Sequence, residues 1–133
     1  MILVDTEVWI DFFAGADPGA VAVDTLLQQR RAVLSTITVF ELLCGAGNSR
    51  QTQQLETLFR LVQTVDVTVD AARYAARHYT ELRQTGSLIG NQDLLLAGTA
   101  LEYHLPILTR NRQHLERIED LEVLSPEQIS REE

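Results

Sequence analysis

The chain contains no lysine; its eleven basic residues are all arginine. That removes Schiff-base catalysis, the phosphate-binding lysine of P-loops and any site that uses an ammonium as a point charge. Cysteine is nearly absent as well. Cys44 stands alone, so no intrachain disulfide can form, and the lack of a disulfide framework points to a reducing, cytoplasmic setting. His78, His104 and His114 show no ligand spacing with it or with one another, which argues against a zinc site. Apolar runs are short and interrupted, so no membrane span is expected. The opening MILVDTEVWIDFF has no basic residue ahead of its apolar stretch and carries three acids, unlike a secretory signal. Positive charge is also scarce: the net charge is −8. Long-range attraction to nucleic acid is therefore unfavourable, and a polyanionic substrate needs a local basic patch or a bound cation. What remains is a chain of 133 residues, 45% hydrophobic and 23% charged. These values predict one globular domain over 1–133 that buries roughly two-thirds of its unfolded surface.

The hydrophobic pattern alternates between two kinds of segment. Short apolar runs at 2–5 (ILVD), 31–35 (RAVLS), 64–67 (TVDV), 106–109 (PILT) and 121–124 (LEVL) read as strands buried on both faces. Between them lie helical spacings: Val8 to Phe13 closed by Gly15, a helix starting near Pro18, TITVFELLC stopped by Gly45 and Gly47, Ser49 to about Val62, and Val69 to Thr85 ended by Gly86. Residues 91–103 are apolar nearly all round and predict a central helix. Strands alternating with helices in this way imply a three-layer α/β/α sandwich around a mostly parallel sheet of four or five strands. Residues 125–133 are expected to form a tail or a short helix.

Three acids sit where burial should exclude them. Asp5 follows the first apolar run, at the strand end where open parallel sheets bind ligands; capping the next helix would explain it equally well. Glu41 shares a helical stripe with Ile37, Phe40 and Cys44, which requires a partner, either an arginine or a metal. Asp93 lies along the face of Leu96, Ala97 and Ala100. A favourable interaction with the helix dipole accounts for its charge but not for its inward position. Brought together, the three would repel one another, and a hard divalent cation with oxygen ligands, Mg²⁺ or Mn²⁺, is the physical remedy. Such a site suits phosphoryl chemistry, with Arg110 and Arg112 beside Asn111 as phosphate contacts. Arg73, Arg77 and Arg83 fit a solvated helix face better than a binding track. A receiver domain would need a lysine, and a haloacid-dehalogenase-type phosphatase would need Asp-x-Asp where this chain reads Asp5-Thr6-Glu7.

Taken in order, MILVDTEVWIDFF, LSTITVFELLCGAG and IGNQDLLLAGTALEYHLPILTRNRQHLERIEDLEVL resemble PIN-domain ribonucleases, specifically VapC-type toxins of toxin–antitoxin pairs. The resemblance spans nearly the whole chain, to about Leu124. It implies that Asp5, Glu41 and Asp93 are the core acids of an Mg²⁺ or Mn²⁺ site and that Thr6 and Thr36 accompany them. Thr109 and Asn111 match the Thr-x-Asn signature after the fourth strand. Thr6, Thr36 and Thr109, with the two arginines, are expected to face RNA. One feature departs from the family: the fourth acid often found near Asn111 or His114 is missing, which would weaken a second metal. The activity implied is cleavage of RNA, often transfer or ribosomal RNA. The partners implied are a VapB-type antitoxin, whose C-terminal segment occupies the active-site groove, and a second copy in a homodimer. A housekeeping PIN nuclease and an inactive PIN-like binding module are the alternatives. The helices around Val8–Phe13 and Leu55–Val62 are candidates for the apolar contact surface.

Overall fold

The structure, a computed structural model, describes residues 1–129. Five short strands, β1 (Ile2–Val4), β2 (Ala32–Ser35), β3 (Gln63–Val65), β4 (Ile107–Leu108) and β5 (Val123–Leu124), form one sheet. Its order is β3-β2-β1-β4-β5 and every pairing is parallel. Six helices of nine residues or more connect the strands: α1 (Thr6–Ala14), α2 (Gly19–Gln28), α3 (Thr36–Cys44), α4 (Ser49–Leu61), α5 (Val69–Gln84) and α6 (Asn91–Glu102). Two single turns, α7 (Arg112–Leu115) and α8 (Pro126–Ile129), complete the described chain. α8 takes up the start of the expected tail; the rest of that tail lies outside the described residues. No described helix is long and apolar enough to cross a membrane.

The period of two along each strand builds the layers. Ile2, Val4, Ala32, Leu34 and Leu108 point to one face, where they meet Trp9, Val23, Leu26, Leu42, Leu55 and Leu58. Leu3, Val33, Val65 and Ile107 point to the other, against Ala75, Leu82, Leu94, Ala97 and Ala100. Each fully buried aliphatic side chain contributes about 1.5–3 kcal/mol, so this alternation commits the central strands β1, β2 and β4 to two covers and explains why none of the three reads as amphipathic. The strands themselves are shorter than expected. At the third, Asp66 is exposed and only Val65 is buried, which ends the pairing early.

Local signals fix the helix ends near the cleft described below. Asp5 caps α1 by accepting the Thr6 N–H, and Gly15 ends that helix in the left-handed conformation (φ 67°) with its N–H returned to Asp11 and Phe12. Ser35 caps α3 by accepting the Thr38 N–H. On the far side of the sheet, α5 and α6 pack so closely that Gly98 lies against the Ala71 carbonyl.

The order β3-β2-β1 runs one way from β1, whereas β4-β5 runs the other. The direction of winding therefore reverses between β1 and β4. A crevice opens outside the carboxyl ends of strands at such a reversal, and Asp5 and Thr109 are the residues that leave β1 and β4 there.

Candidate active site

Asp5 is held at the crevice by its backbone as well as its cap. Its N–H donates to the Leu108 carbonyl at 2.9 Å, which extends the β1–β4 pairing by one step. Both carboxylate oxygens are occupied: Oδ1 accepts the Thr6 N–H at 2.7 Å and Oδ2 the Thr109 hydroxyl at 2.8 Å. The Thr109 oxygen in turn accepts the Asn111 N–H at 2.9 Å. Asn111 donates through Nδ2 to Asp93 Oδ2 at 3.3 Å, and the same Nδ2 lies 2.8 Å from His114 Nδ1. From the other side, the Thr6 hydroxyl donates to Glu41 Oε1. A run of hydrogen bonds thus links Glu41, Thr6, Asp5, Thr109, Asn111 and Asp93, residues drawn from α1, α3, α6 and the segment after β4.

Asp5, Glu41 and Asp93 line one cleft of about 320 Å³, together with Glu7, Asn111 and Gln92. Nowhere among the described residues does an arginine pair with any of the three core acids. Asp5 is only 8% exposed. Burial pushes its carboxyl up to about 6, with the negative charges of Asp93 and Glu7 adding to the rise against the Thr109 and Thr6 hydrogen bonds. Asp93 is raised as well, first by burial and then by Glu41 and Glu7, while His114 and the Asn111 amide pull it down.

These features are what a hard cation would fit: oxygen donors, crowded negative charge and no arginine on Asp5, Glu41 or Asp93 among the described residues. Among the described residues, no three acidic, histidine or cysteine side chains stand as a closed ligand set. An ion here would take part of its shell from water and substrate oxygens, as Mg²⁺ ordinarily does.

Several residues stand elsewhere than the sequence placed them. Thr109 was expected to face RNA, but it is 0% exposed, and its hydroxyl is turned inward to Asp5. Thr36 accepts the Val67 N–H at 3.3 Å, so it ties down the chain after β3 and does not line the cleft. Thr6 lines the cleft, but it is buried and its proton is committed to Glu41. Arg110 bridges Glu7 (2.9 Å) and Asp11 (3.3 Å). Arg112 pairs with Glu116 at 2.6 Å and reaches Gln128 at 3.2 Å. The stripe around Glu41 is also more open than expected, since Phe40 is 61% exposed and Cys44 is exposed. Away from the cleft, His78 is buried, with Nδ1 3.2 Å from Glu81. Thr38, three residues before Glu41 on α3, escaped the sequence reading, and His114, named there only as a position without the family's fourth acid, is a contact of Asn111.

Comparison with known proteins identifies the family. A family model of the PIN domain matches residues 2–121. Ribonuclease VapC1 of Methanocaldococcus jannaschii is 30% identical over 119 residues, covering 90% of this chain and 82% of that protein. The tRNA(fMet)-specific endonuclease VapC of Shigella flexneri is 28% identical over 120 residues, covering 87% and 90%. Among solved structures, VapBC2 from Rickettsia felis, bound to a DNA fragment from its promoter, superposes with a TM-score of 0.78 at 25% identity, covering 94% of this chain and 98% of that one. The family model spans most of the chain and the relatives match it over most of their own length, and the chain belongs to the PIN domain family, among its VapC ribonucleases.

Proposed function

We propose that this protein is an endoribonuclease dependent on Mg²⁺ or Mn²⁺, the toxin of a VapBC-type pair in the cytoplasm, with transfer or ribosomal RNA as its substrate. The observation that carries this reading is one cleft lined by Asp5, Glu41 and Asp93, none of them paired with an arginine among the described residues, with the carboxyls of Asp5 and Asp93 both raised. The solved VapBC complex and the tRNA-specific relative support the partner and the substrate class.

In this mechanism Asp5, Glu41 and Asp93 would hold the ion. When bound, it would polarise the scissile phosphate and make a water more acidic. Thr109 and Thr6 keep Asp5 turned to the cleft, and Thr6 does the same for Glu41. Asn111 bridges Asp93 to the β4 end and presents its amide at the cleft wall, where an RNA phosphate enters. Arg110 stands at the rim, and exchanging Glu7 for a phosphate would give it a bidentate contact.

The test is incubation of the purified protein with total tRNA and ribosomal RNA in Mg²⁺ or Mn²⁺. Discrete cleavage should appear and should vanish both with EDTA and in Asp93→Asn. Cleavage surviving both controls marks a contaminant. Intact RNA throughout, with no metal-induced rise in melting temperature, would favour a binding module that has lost catalysis.

Beside the cleft, a groove of about 420 Å³ runs between α1, α3 and α4, lined by Ile10, Phe13, Leu42, Ala46 and Leu55, with Glu41 at its edge. Ile10 and Phe13 are exposed there, so α1 contributes apolar surface to the groove as well as core. This groove is the proposed seat of the antitoxin's C-terminal segment. Phe13→Glu should weaken toxin–antitoxin affinity at least tenfold in calorimetry while leaving RNA cleavage by the free toxin unchanged.

A further inference from the structure

Glu41 reaches the cleft from α3 without an arginine to hold it, so its orientation depends on hydroxyl groups. The Thr6 hydroxyl donates to Glu41 Oε1, and Thr6 Oγ1 lies 2.9 Å from Thr38 Oγ1. Thr38 Oγ1 in turn lies 3.3 Å from the Ser35 hydroxyl, whose oxygen accepts the Thr38 N–H at 3.1 Å. Ser35 and Thr38 are 0% exposed and Thr6 is 7% exposed, so water does not substitute for a missing partner.

The donor directions follow from the chemistry of the last group. An ionised carboxylate only accepts, and each hydroxyl has one proton. Thr6 therefore spends its proton on Glu41 and must accept from Thr38. Thr38 then spends its own proton on Thr6 and must accept from Ser35, which is anchored by the first turn of α3. Every donor in the chain points toward the carboxylate, and such aligned bonds strengthen one another.

We infer that Thr38 is a positioning residue for Glu41, acting through Thr6 and resting on the metal-site reading above. Its placement gives it leverage over two acids, since Thr6 also donates its N–H to Asp5. Clamping Thr6 fixes the start of α1 against α3 and sets the spacing of the two carboxylates. Without the Thr38 proton, a buried Thr6 lone pair is left unsatisfied and the Thr6 hydroxyl is no longer polarised toward Glu41.

Thr38→Val keeps the shape and deletes the donor; Thr38→Ser keeps the donor. Circular dichroism should show both folded. Mn²⁺ affinity, read by electron paramagnetic resonance without RNA, should fall roughly 10–100-fold in Thr38→Val, as for other groups that orient metal ligands, and recover to within about threefold of wild type in Thr38→Ser. In metal-free protein, NMR should show a slowly exchanging Thr6 hydroxyl proton that Thr38→Val loses and Thr38→Ser retains. If Thr38→Val fails to fold, Thr38→Ala against Thr38→Ser isolates the hydroxyl in the same measurements. Wild-type Mn²⁺ affinity in Thr38→Val, or equal loss in the valine and serine variants, would overturn the inference. A wild type that binds no Mn²⁺ but shows the expected hydroxyl signals would overturn the metal reading and leave the positioning role standing.

Discussion

Replacing Asp5 with asparagine should abolish RNA cleavage and, in EDTA at neutral pH, make the protein more stable. The activity loss follows from removing the charge at the centre of the cleft while keeping its shape. Asparagine caps α1 as well as aspartate does, so a lost fold cannot account for the effect; the fall should be on the order of 10³-fold or more, several kcal/mol of transition-state stabilisation. The stability gain follows from the raised carboxyl. Its folded value of about 6 lies above the ordinary value of 3.8, so the native state binds the proton more tightly than the unfolded chain. On this account the wild type carries no penalty from Asp5 below about pH 4. It loses stability as pH rises from about 4 to 6, and above that range carries the full penalty, about 3 kcal/mol at 1.36 kcal/mol per pKa unit. The Asp5→Asn variant has no such titration. Denaturant unfolding of both proteins from pH 4 to pH 8 should give curves that converge in acid and separate toward neutrality, with the variant the more stable. Adding Mg²⁺ at neutral pH should close the gap by stabilising only the wild type. Parallel curves across the whole range would remove the electrostatic argument for a cation.

Gly98→Ala should be the most destabilising single-methyl change in the protein. A Cβ at Gly98 would collide with the Ala71 carbonyl oxygen and lie 3.1 Å from the Ala75 nitrogen. Both are backbone atoms of α5, so no side-chain rotation relieves the clash, and α5 must move off α6. Alanine's better helix propensity returns only about 1 kcal/mol, whereas overpacking of this kind costs about 3 kcal/mol or more. The melting temperature should fall on the order of 10 °C. Because α6 also carries Asp93 in its first turn, residual cleavage should fall with the packing. An unchanged melting temperature would show that the two helices have slack between them.

The fold was legible because two-sided burial leaves continuous apolar runs and because glycines and caps mark the helix ends. All five strands and the six longer helices stand where the pattern predicts, with no strand end moved by more than two residues. The core acids were legible for a different reason: a carboxylate in an apolar context is anomalous, and Asp5, Glu41 and Asp93 do line one cleft. The supporting hydroxyls were not. Thr36 and Thr38 are alike in a sequence, and only the rotation of α3 decides that Thr38 faces Thr6 while Thr36 faces the chain after β3. The arginines misled for a similar reason, since proximity in sequence to Asn111 carries no information about Glu7, Asp11 and Glu116 as competing partners.

The hydrogen bond from Thr109 to Asp5 joins residues 104 positions apart. During synthesis Asp5 and Glu41 emerge early, yet the crevice they line has one wall made from β4, so on the proposed reading a nascent chain lacks a complete site. On the proposed reading the site is complete only once β4 has joined β1 and α6 has brought Asp93 to the cleft, and it is undone if they come loose. A protease that captures this end need not digest the molecule to disarm it.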